Sequence, residues 1–421
     1  MHKEYLKTFV YSFVFAIIFV IFINFLIDPY GIFGFLDLKG FNSLKPKTRD
    51  RGRIVKPIWV LDQKPNILIA GNSRVEMGID PKSPSWKLMR SCLVFNMGLP
   101  GASVYMQMRY LQHASNSTDI KLVYFGLDFV DFLISTEFKK GEVVRREEPW
   151  DFEKRLKINA NNTKNPFYQL YYLFDHTSCL FSYGSFLDSI ETILKQGNKN
   201  VPMLRKDGFN PAQEYFDIIK HEGQSILFQQ KNKDIAKRLS NGTYAYSDDE
   251  REFIGYKSLG SFLSFASLND IKVVFFVNPY HIEYLLLIDL AGKWESFEKW
   301  KYKIFEIAQK HNVEIWDFNG VNSFTTEMIN VSHDKKPLLW FWEPAHYRKE
   351  LGDIMISRMV NINNRASTNN KFGEQLDSDN ISKHLKKIKE DLTKFKNKNP
   401  KIVKKIASLS GMVQTDLSPK N

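Results

Sequence analysis

Ser73, His346 and Glu343 are the residues of this chain best suited to chemistry. Ser73 stands at the apex of Ala70-Gly71-Asn72-Ser73-Arg74, a tight turn that follows the apolar run Asn66–Ala70. A serine hydroxyl is a poor nucleophile until a base takes its proton, and a neutral imidazole suits that task near pH 7. His346 supplies the imidazole, and Glu343 lies three residues before it in Trp342-Glu343-Pro344-Ala345-His346-Tyr347. If these residues open a helical stretch running to about Met359, carboxylate and imidazole share one face. There the carboxylate can hold the imidazole tautomer and stabilise its protonated form. Backbone N–H groups at Ser73, and around Gly98 and Gly101 in Asn96-Met97-Gly98-Leu99-Pro100-Gly101-Ala102-Ser103, can face a developing oxyanion. The chemistry indicated is acyl transfer.

Each residue also has a plainer use. Ser73 can be a helix N-cap, His346 a surface residue, Arg74 a partner of Asp80, and His281 and Asp317 loop closers. Trp340, Phe341, Trp342, Tyr168, Tyr171 and Tyr172 can stack on sugar faces, although packing in the core is the commoner job of such rings. The ordered set is what raises Ser73 and His346 above the plain reading.

Five short apolar runs must position these residues: Asn66–Ala70, Cys92–Asn96, Leu122–Phe125, Val273–Val277 and Val313–Trp316. They are continuous rather than alternating, as strands covered on both faces are. Helical patterns at Ser103–Ser115, Glu250–Leu268 and Glu295–Gln309 lie between them. The alternation predicts an α/β fold, a three-layer α/β/α sandwich around a parallel sheet. In such a sheet ligands bind beyond the carboxyl ends of the strands. Ser73, Gly98, Asp128, Asn278, His281 and Asp317 all follow strand runs. The stretch 132–246 breaks the alternation and reads as a helical insertion above the sheet. Ile381, Leu385, Ile388, Leu392 and Phe395 make one apolar stripe of a late helix, and 397–421 reads as a Lys-rich disordered tail.

Phe9–Ile27 is uncharged and apolar, long enough to be an uncleaved membrane anchor and lacking the small residues of a cleavage site. The organisation expected is an anchor at 1–29, a connector at 30–64, a domain at 65–396 carrying the insertion, and the tail. Lys3 and Lys7 precede the anchor, whereas Lys39, Lys45, Lys47, Arg49, Arg51 and Arg53 follow it, so charge counting alone mildly places the domain on the cytoplasmic side. The formal charge of +12 is concentrated in residues 365–421, where 13 Lys/Arg face 6 Asp/Glu. It is therefore mostly a tail property and argues against nucleic acid as a partner. Two cysteines, Cys92 and Cys179, exclude a disulfide-dense scaffold and offer no zinc spacing. No metal or other cofactor is expected. Cys92, in an apolar run, is expected to pack as a small hydrophobe.

The quoted blocks resemble the SGNH (GDSL-like) hydrolases. NILIAGNSRVEMGIDP is similar to their first block, in which the serine is the nucleophile. NMGLPGAS is similar to the second, whose glycine N–H serves the oxyanion, and WEPAHY to the last, which supplies acid and histidine. IDPYGIFG, GLDFVDF, VNPYH and FGEQLDSDNISKHLKK extend the likeness to a membrane-anchored bacterial subgroup similar to cell-envelope proteins that add or remove acyl groups on polysaccharides. The resemblance implies a single-pass inner-membrane protein with an extracytoplasmic domain. It implies an acyl ester or envelope glycan as substrate and a membrane-bound acyltransferase as a possible partner.

Two residues depart from the family pattern. Glu343 replaces an aspartate, and Asp128 stands where an asparagine usually donates to the oxyanion. An ionised Asp128 repels negative charge, so either Asn72, Asn96 or Asn278 substitutes, or Asp128 is held protonated, or the oxyanion hole is weak. The last case leads to a rival reading, a non-catalytic SGNH-like scaffold or glycan-binding component of an envelope complex. A flavodoxin-like phosphate binder ranks third, because the chain has no Gly-rich loop or phosphate-site lysine.

Overall fold

β-Branched and aromatic residues in short unbroken runs build a sheet whose two faces are both buried. In the computed structural model, which describes residues 2–89, 91–135, 151–198, 200–239, 244–247, 249, 253–360 and 372–410, the chain divides into two compact units. One comprises Met1–Lys64 and Pro149–Glu214, the other Pro65–Glu148 and Tyr215–Asn421.

The second unit holds the sheet. Strands β1 (Ile67–Ala70), β2 (Val94–Asn96), β3 (Leu122–Leu127), β6 (Lys272–Val277) and β7 (Glu314–Asp317) are parallel. A short β10 (Glu374–Gln375) adds an antiparallel edge to β7, giving the order β10-β7-β6-β3-β1-β2. All five expected runs are strands, and the two-residue β10 was not foreseen. Register is fixed by pairs such as Leu68↔Val123 and Val123↔Val273. Ile67, Ile69, Tyr124, Val274 and Phe276 point to one face and share a core with Leu351, Met355 and Met359. The alternate residues Leu68, Val123 and Phe275 are equally buried on the other face. Two small antiparallel pairs complete the strands, β4 (Leu133–Ser135) with β5 (Tyr244–Tyr246), and β8 (Phe341–Glu343) with β9 (His346–Tyr347).

Helices of this unit are α3 (Ser73–Gly78), α4 (Val104–Ser115), α7 (Glu214–His221), α8 (Gln224–Leu239), α9 (Ile254–Leu268), α10 (Ile282–Leu290), α11 (Trp294–Lys310), α12 (Lys349–Val360), α13 (Ile381–Lys398) and α14 (Pro400–Ser410). The stripe on α13 buries Ile381, Leu385, Ile388 and Leu392. Asp317, at the end of β7, locks this helix. Its carboxylate accepts from Lys301 Nζ at 2.6 Å and faces His384 Nε2 at 3.0 Å. Burial pushes the Asp317 carboxyl up, but the Lys301 charge and the hydrogen bonds from His384 and Lys301 outweigh it and hold it far below the usual range.

Two expectations about organisation are corrected. Residues 400–410 are not disordered but form α14, because Val403, Ile406 and Ala407 fall on one helical face and are buried; residues 411–421 lie outside the described set. The insertion at 132–246 is not one cap. Its part Pro149–Glu214 clusters with the N-terminal segment, and the remainder with the sheet unit. The charged start of the insertion, 136–148, is outside the described residues.

The first unit contains α1 (His2–Ile27), α2 (Gly52–Gln63), α5 (Tyr168–Phe181) and α6 (Tyr183–Leu194). Lys3–Ile27 of α1 is long and apolar enough to cross a membrane; its 25 residues span about 37 Å at 1.5 Å each, against roughly 30 Å of hydrocarbon. Its one buried amide, Asn24, donates to the carbonyls of Leu180 at 2.8 Å and Ser182 at 3.2 Å and accepts from the Ser189 hydroxyl at 3.1 Å. Lys45 Nζ closes the end of α1 by donating to the carbonyls of Ile27 and Asp28 at 3.1 and 2.7 Å. Both cysteines are free thiols. Cys92 is partly buried against the sheet core.

Candidate active site

Counting only parallel strands, the sheet runs in the order 2-1-3-4-5, and its topological switch point lies between β1 and β3. Ser73 follows β1 at that point. Gly71 makes the turn with φ +149°, and a Cβ there would stand 2.5 Å from Val75 Cγ2 and 2.9 Å from the Gly126 carbonyl. Only glycine fits, by conformation and by space. Asn72 caps α3, its Oδ1 accepting from the Arg74 N–H at 3.0 Å. Ser73 is thus the first helical residue and not the cap, which leaves its side chain for other work.

Ser73 Oγ lies 2.8 Å from His346 Nε2, and His346 Nδ1 contacts Glu343 Oε1. An ionised carboxylate only accepts, so Nδ1 carries the proton and Nε2 presents its lone pair to the serine hydroxyl. Glu343 is fully buried, and its other oxygen accepts from the Ala345 N–H at 2.7 Å. Burial pushes the Glu343 carboxyl up, but the electrostatic attraction and hydrogen bond of the His346 N–H outweigh it and hold it below its usual range.

The three residues meet, though not by the local structure expected. Glu343-Pro344-Ala345-His346 is the turn of the β8–β9 hairpin rather than the first turn of a helix. The residue before a proline is driven out of the α region, so Glu343 stays extended, and Pro344 then starts a tight turn. Glu343 and His346 become cross-strand partners. The helix begins only at Lys349.

What sets the distance between hairpin and α3 is a pair of glycines. A Cβ on Gly78 would stand 2.0 Å from the Tyr347 ring, and one on Gly352 of α12 would stand 1.8 Å from the Gly78 carbonyl. Tyr347 is buried and anchored through its hydroxyl, which donates to Asn278 Oδ1 at 2.9 Å. Gln224 holds β8 by donating to the Trp342 carbonyl at 2.6 Å, and the His281 N–H donates to the Pro344 carbonyl at 3.3 Å. His281 accepts at Nδ1 from the Glu283 N–H, so its Nε2 donates to the Glu327 carbonyl. Burial lowers the pKa of His281. It closes a loop, as the plain reading has it.

The expected oxyanion residues are mostly engaged elsewhere. The Gly98 N–H donates to Asn96 Oδ1 at 2.8 Å, and a Cβ at Gly98 would meet Glu76 N at 2.6 Å, so this loop lies on the first turns of α3. Gly101 is a turn residue with φ +65°. Asn72 Nδ2 donates to Asp131 at 2.9 Å, Asn96 Nδ2 to the carbonyls of Val75 and Ile79, and Asn278 Nδ2 to the Leu127 carbonyl at 3.1 Å. Among the described residues the Ser73 N–H has no acceptor.

Asp128 does not face the serine unpaired. Arg74, expected beside Asp80, instead forms a buried ion pair with Asp128, whose other oxygen accepts from Tyr280 Oη at 2.8 Å. Rings of Tyr280 and Tyr284 lie 4.9 and 5.2 Å from the guanidinium. Burial lowers the Arg74 pKa, but Asp128 outweighs it and leaves it raised. Sequence reasoning missed this pairing, although a cation next to the serine and an acid at the end of the third strand run were both on view. Trp342 packs in the core against Tyr215, Phe216 and Arg348 rather than facing a ligand. Among the described residues no group of three His, Cys, Asp or Glu side chains is arranged to hold a metal ion.

A scan against protein-family models and a search of curated proteins return no match to this chain.

Proposed function

We propose that this protein is a serine-dependent acyl-transfer enzyme of the SGNH type, built on a three-layer α/β/α sandwich, with Ser73 as nucleophile, His346 as base and Glu343 as its orienting acid. The observation that carries the reading is the 2.8 Å approach of Ser73 Oγ to His346 Nε2, with Glu343 on the far nitrogen. In the first half-reaction His346 Nε2 takes the Ser73 proton as Oγ bonds to the ester carbon. The tetrahedral oxyanion collects at the Ser73 N–H, and the C–O bond to the leaving alcohol breaks as His346 returns the proton. Water or a sugar hydroxyl then repeats the sequence in reverse on the acyl-enzyme.

The substrate class we propose is an O-acyl ester of a cell-envelope glycan. The N-terminal helix would anchor the chain once in the cytoplasmic membrane, with the serine unit on the extracytoplasmic side. There it could receive acyl groups from a membrane-bound acyltransferase. The likeness of the sequence blocks supports this part.

A scaffold that binds glycan without turnover is the second reading. It is favoured by one specific observation, that the Gly98 N–H and the side-chain amides of Asn72, Asn96 and Asn278 all have internal partners. Fluorophosphonate labelling of the full chain with mass mapping separates the two. Labelling at Ser73 that disappears in Ser73→Ala and His346→Ala supports the enzyme. Folded, unlabelled protein supports the scaffold.

A further inference from the structure

The helical hairpin α5–α6 in the first unit is inside out. Its buried positions are polar, namely Asp175, Ser185, Ser189 and Thr192. Its exposed positions are mostly apolar, Gln169, Ser178 and Gly184 apart, and recur at helical spacing, Leu170, Phe174 and Phe181 on α5, then Tyr183, Leu187 and Leu194 on α6. Leu194 is 79% exposed and Tyr183 68%. A helix that faces water carries its polar residues outward. A surface this apolar has to be covered.

Charge is arranged the same way. The hairpin contains three acidic residues, and each is paired within the unit. Asp175 accepts from Arg155 Nε at 2.7 Å, Asp188 from Tyr30 Oη at 2.6 Å, and Glu191 faces Lys47 Nζ at 3.0 Å. The outward stripes carry none. The neighbouring element shows the same inversion. In α1, Asn24 is buried against the hairpin turn while the Phe, Val and Ile side chains from Phe9 to Phe19 are exposed, and Phe19 meets Phe186 with ring centroids 6.3 Å apart. The exposed stripes therefore continue the apolar surface of α1, among the described residues the one helix long and apolar enough to cross a membrane.

We infer that α5–α6 is a second membrane-contacting element, which lies in the same leaflet as the end of α1 and buries its outward stripes among lipid acyl chains. Amphipathic segments of this kind sink roughly 5–10 Å past the headgroups. The inference rests on the reading of α1 as a membrane anchor. It gives the first unit a broad seat on the bilayer where a lone helix would give only a tether.

Single-cysteine labelling of the full chain tests it. On a Cys92→Ala, Cys179→Ala background, an environment-sensitive fluorophore is placed at Leu170→Cys or Leu187→Cys on the hairpin, at Phe15→Cys on α1, or at exposed Lys257→Cys on α9. The protein is reconstituted in phosphatidylcholine vesicles, with or without brominated acyl chains, and iodide serves as the aqueous quencher. The hairpin labels are expected to match the α1 label, with a ratio of lipid quenching to iodide quenching several-fold above that at position 257. Hairpin labels quenched by iodide while the α1 label is quenched by lipid overturn the inference and leave the anchor standing. Hairpin labels shielded from both quenchers also overturn it, since a protein then covers the stripes. An α1 label quenched by iodide removes the anchor, and this inference with it.

Discussion

Replacing Gly78 by alanine should disable the serine without touching any of the three residues proposed to carry out acyl transfer. The new Cβ would stand 2.0, 2.5 and 2.6 Å from three atoms of the Tyr347 ring. Ordinary carbon contacts begin near 3.5 Å, so the ring must retreat by about 1.5 Å. Tyr347 is fully buried and its hydroxyl is tied to Asn278, so the ring cannot turn aside and the β8–β9 hairpin must move with it. His346 is the adjacent residue. A retreat of even about 1 Å takes its 2.8 Å approach to Ser73 beyond hydrogen-bond range. Displacements of that size cost on the order of 100-fold in rate, while overpacking costs about 1–3 kcal/mol of stability. The assay is the rate of fluorophosphonate labelling at Ser73, read beside thermal unfolding. Gly260→Ala on α9 is the control, because a Cβ there meets nothing closer than 3.9 Å; it should leave labelling unchanged and stabilise by up to about 1 kcal/mol. Gly78→Ala that labels within about twofold of the parent and melts with it would refute the idea that this contact sets the serine–histidine distance.

Four other outcomes follow. Glu343→Gln keeps the side-chain shape but removes the charge that fixes the His346 tautomer, and labelling should slow by on the order of 10⁴-fold with little change in melting; equal rates would remove Glu343 from the mechanism. Asp128→Asn, which restores the amide usual in the resembled family, should not speed labelling. It strands buried Arg74 and should cost about 3–5 kcal/mol in a denaturant melt, whereas a faster and equally stable variant would contradict the ion-pair account. His281 has its folded pKa lowered by burial, so its contribution to stability is complete above the unfolded value of 6.5 and is lost as pH falls from there through the lowered folded pKa. Melting temperature should drop in that window, and His281→Gln, able to keep both hydrogen bonds, should flatten the dependence; unchanged curves would sink it. Ile406→Ala on α14 should cost about 2–4 kcal/mol by urea unfolding, because Ile406 is fully buried; no shift in midpoint would mean the terminal helix adds nothing.

The sheet was legible because strands covered on both faces carry short apolar runs, most fully in Ile67–Ala70, Leu122–Leu127 and Val273–Val277, whose residues are all buried. Ser73, Glu343 and His346 were legible because two turns and one short spacing held them. The local structure of the acid and base was not, since a separation of three suits a helical turn and a hairpin turn alike, and only Pro344 tips the balance. The Arg74–Asp128 pair escaped because it joins positions 54 apart in sequence. Lysines masked α14, whose buried stripe is only Val403, Ile406 and Ala407. The allegiance of Pro149–Glu214 to the N-terminal segment left no short-range trace at all. Its signal is the inverted polarity of α5 and α6, which shows only when buried and exposed positions are known.

Asn24 also sets a clock for assembly. Its amide finds its first partner, the Leu180 carbonyl, 156 residues later in the chain. At roughly 5–20 residues per second, ribosomes need about 8–30 s to synthesise that distance. Through that interval the apolar helix carries an unsatisfied amide near one end, a state that costs free energy in hydrocarbon and can be relieved by the water and headgroups beside it. Docking of the hairpin on Asn24 therefore cannot begin before residues 180–189 have been made. A ribosome stalled before residue 180 would hold α1 with that amide still unclaimed.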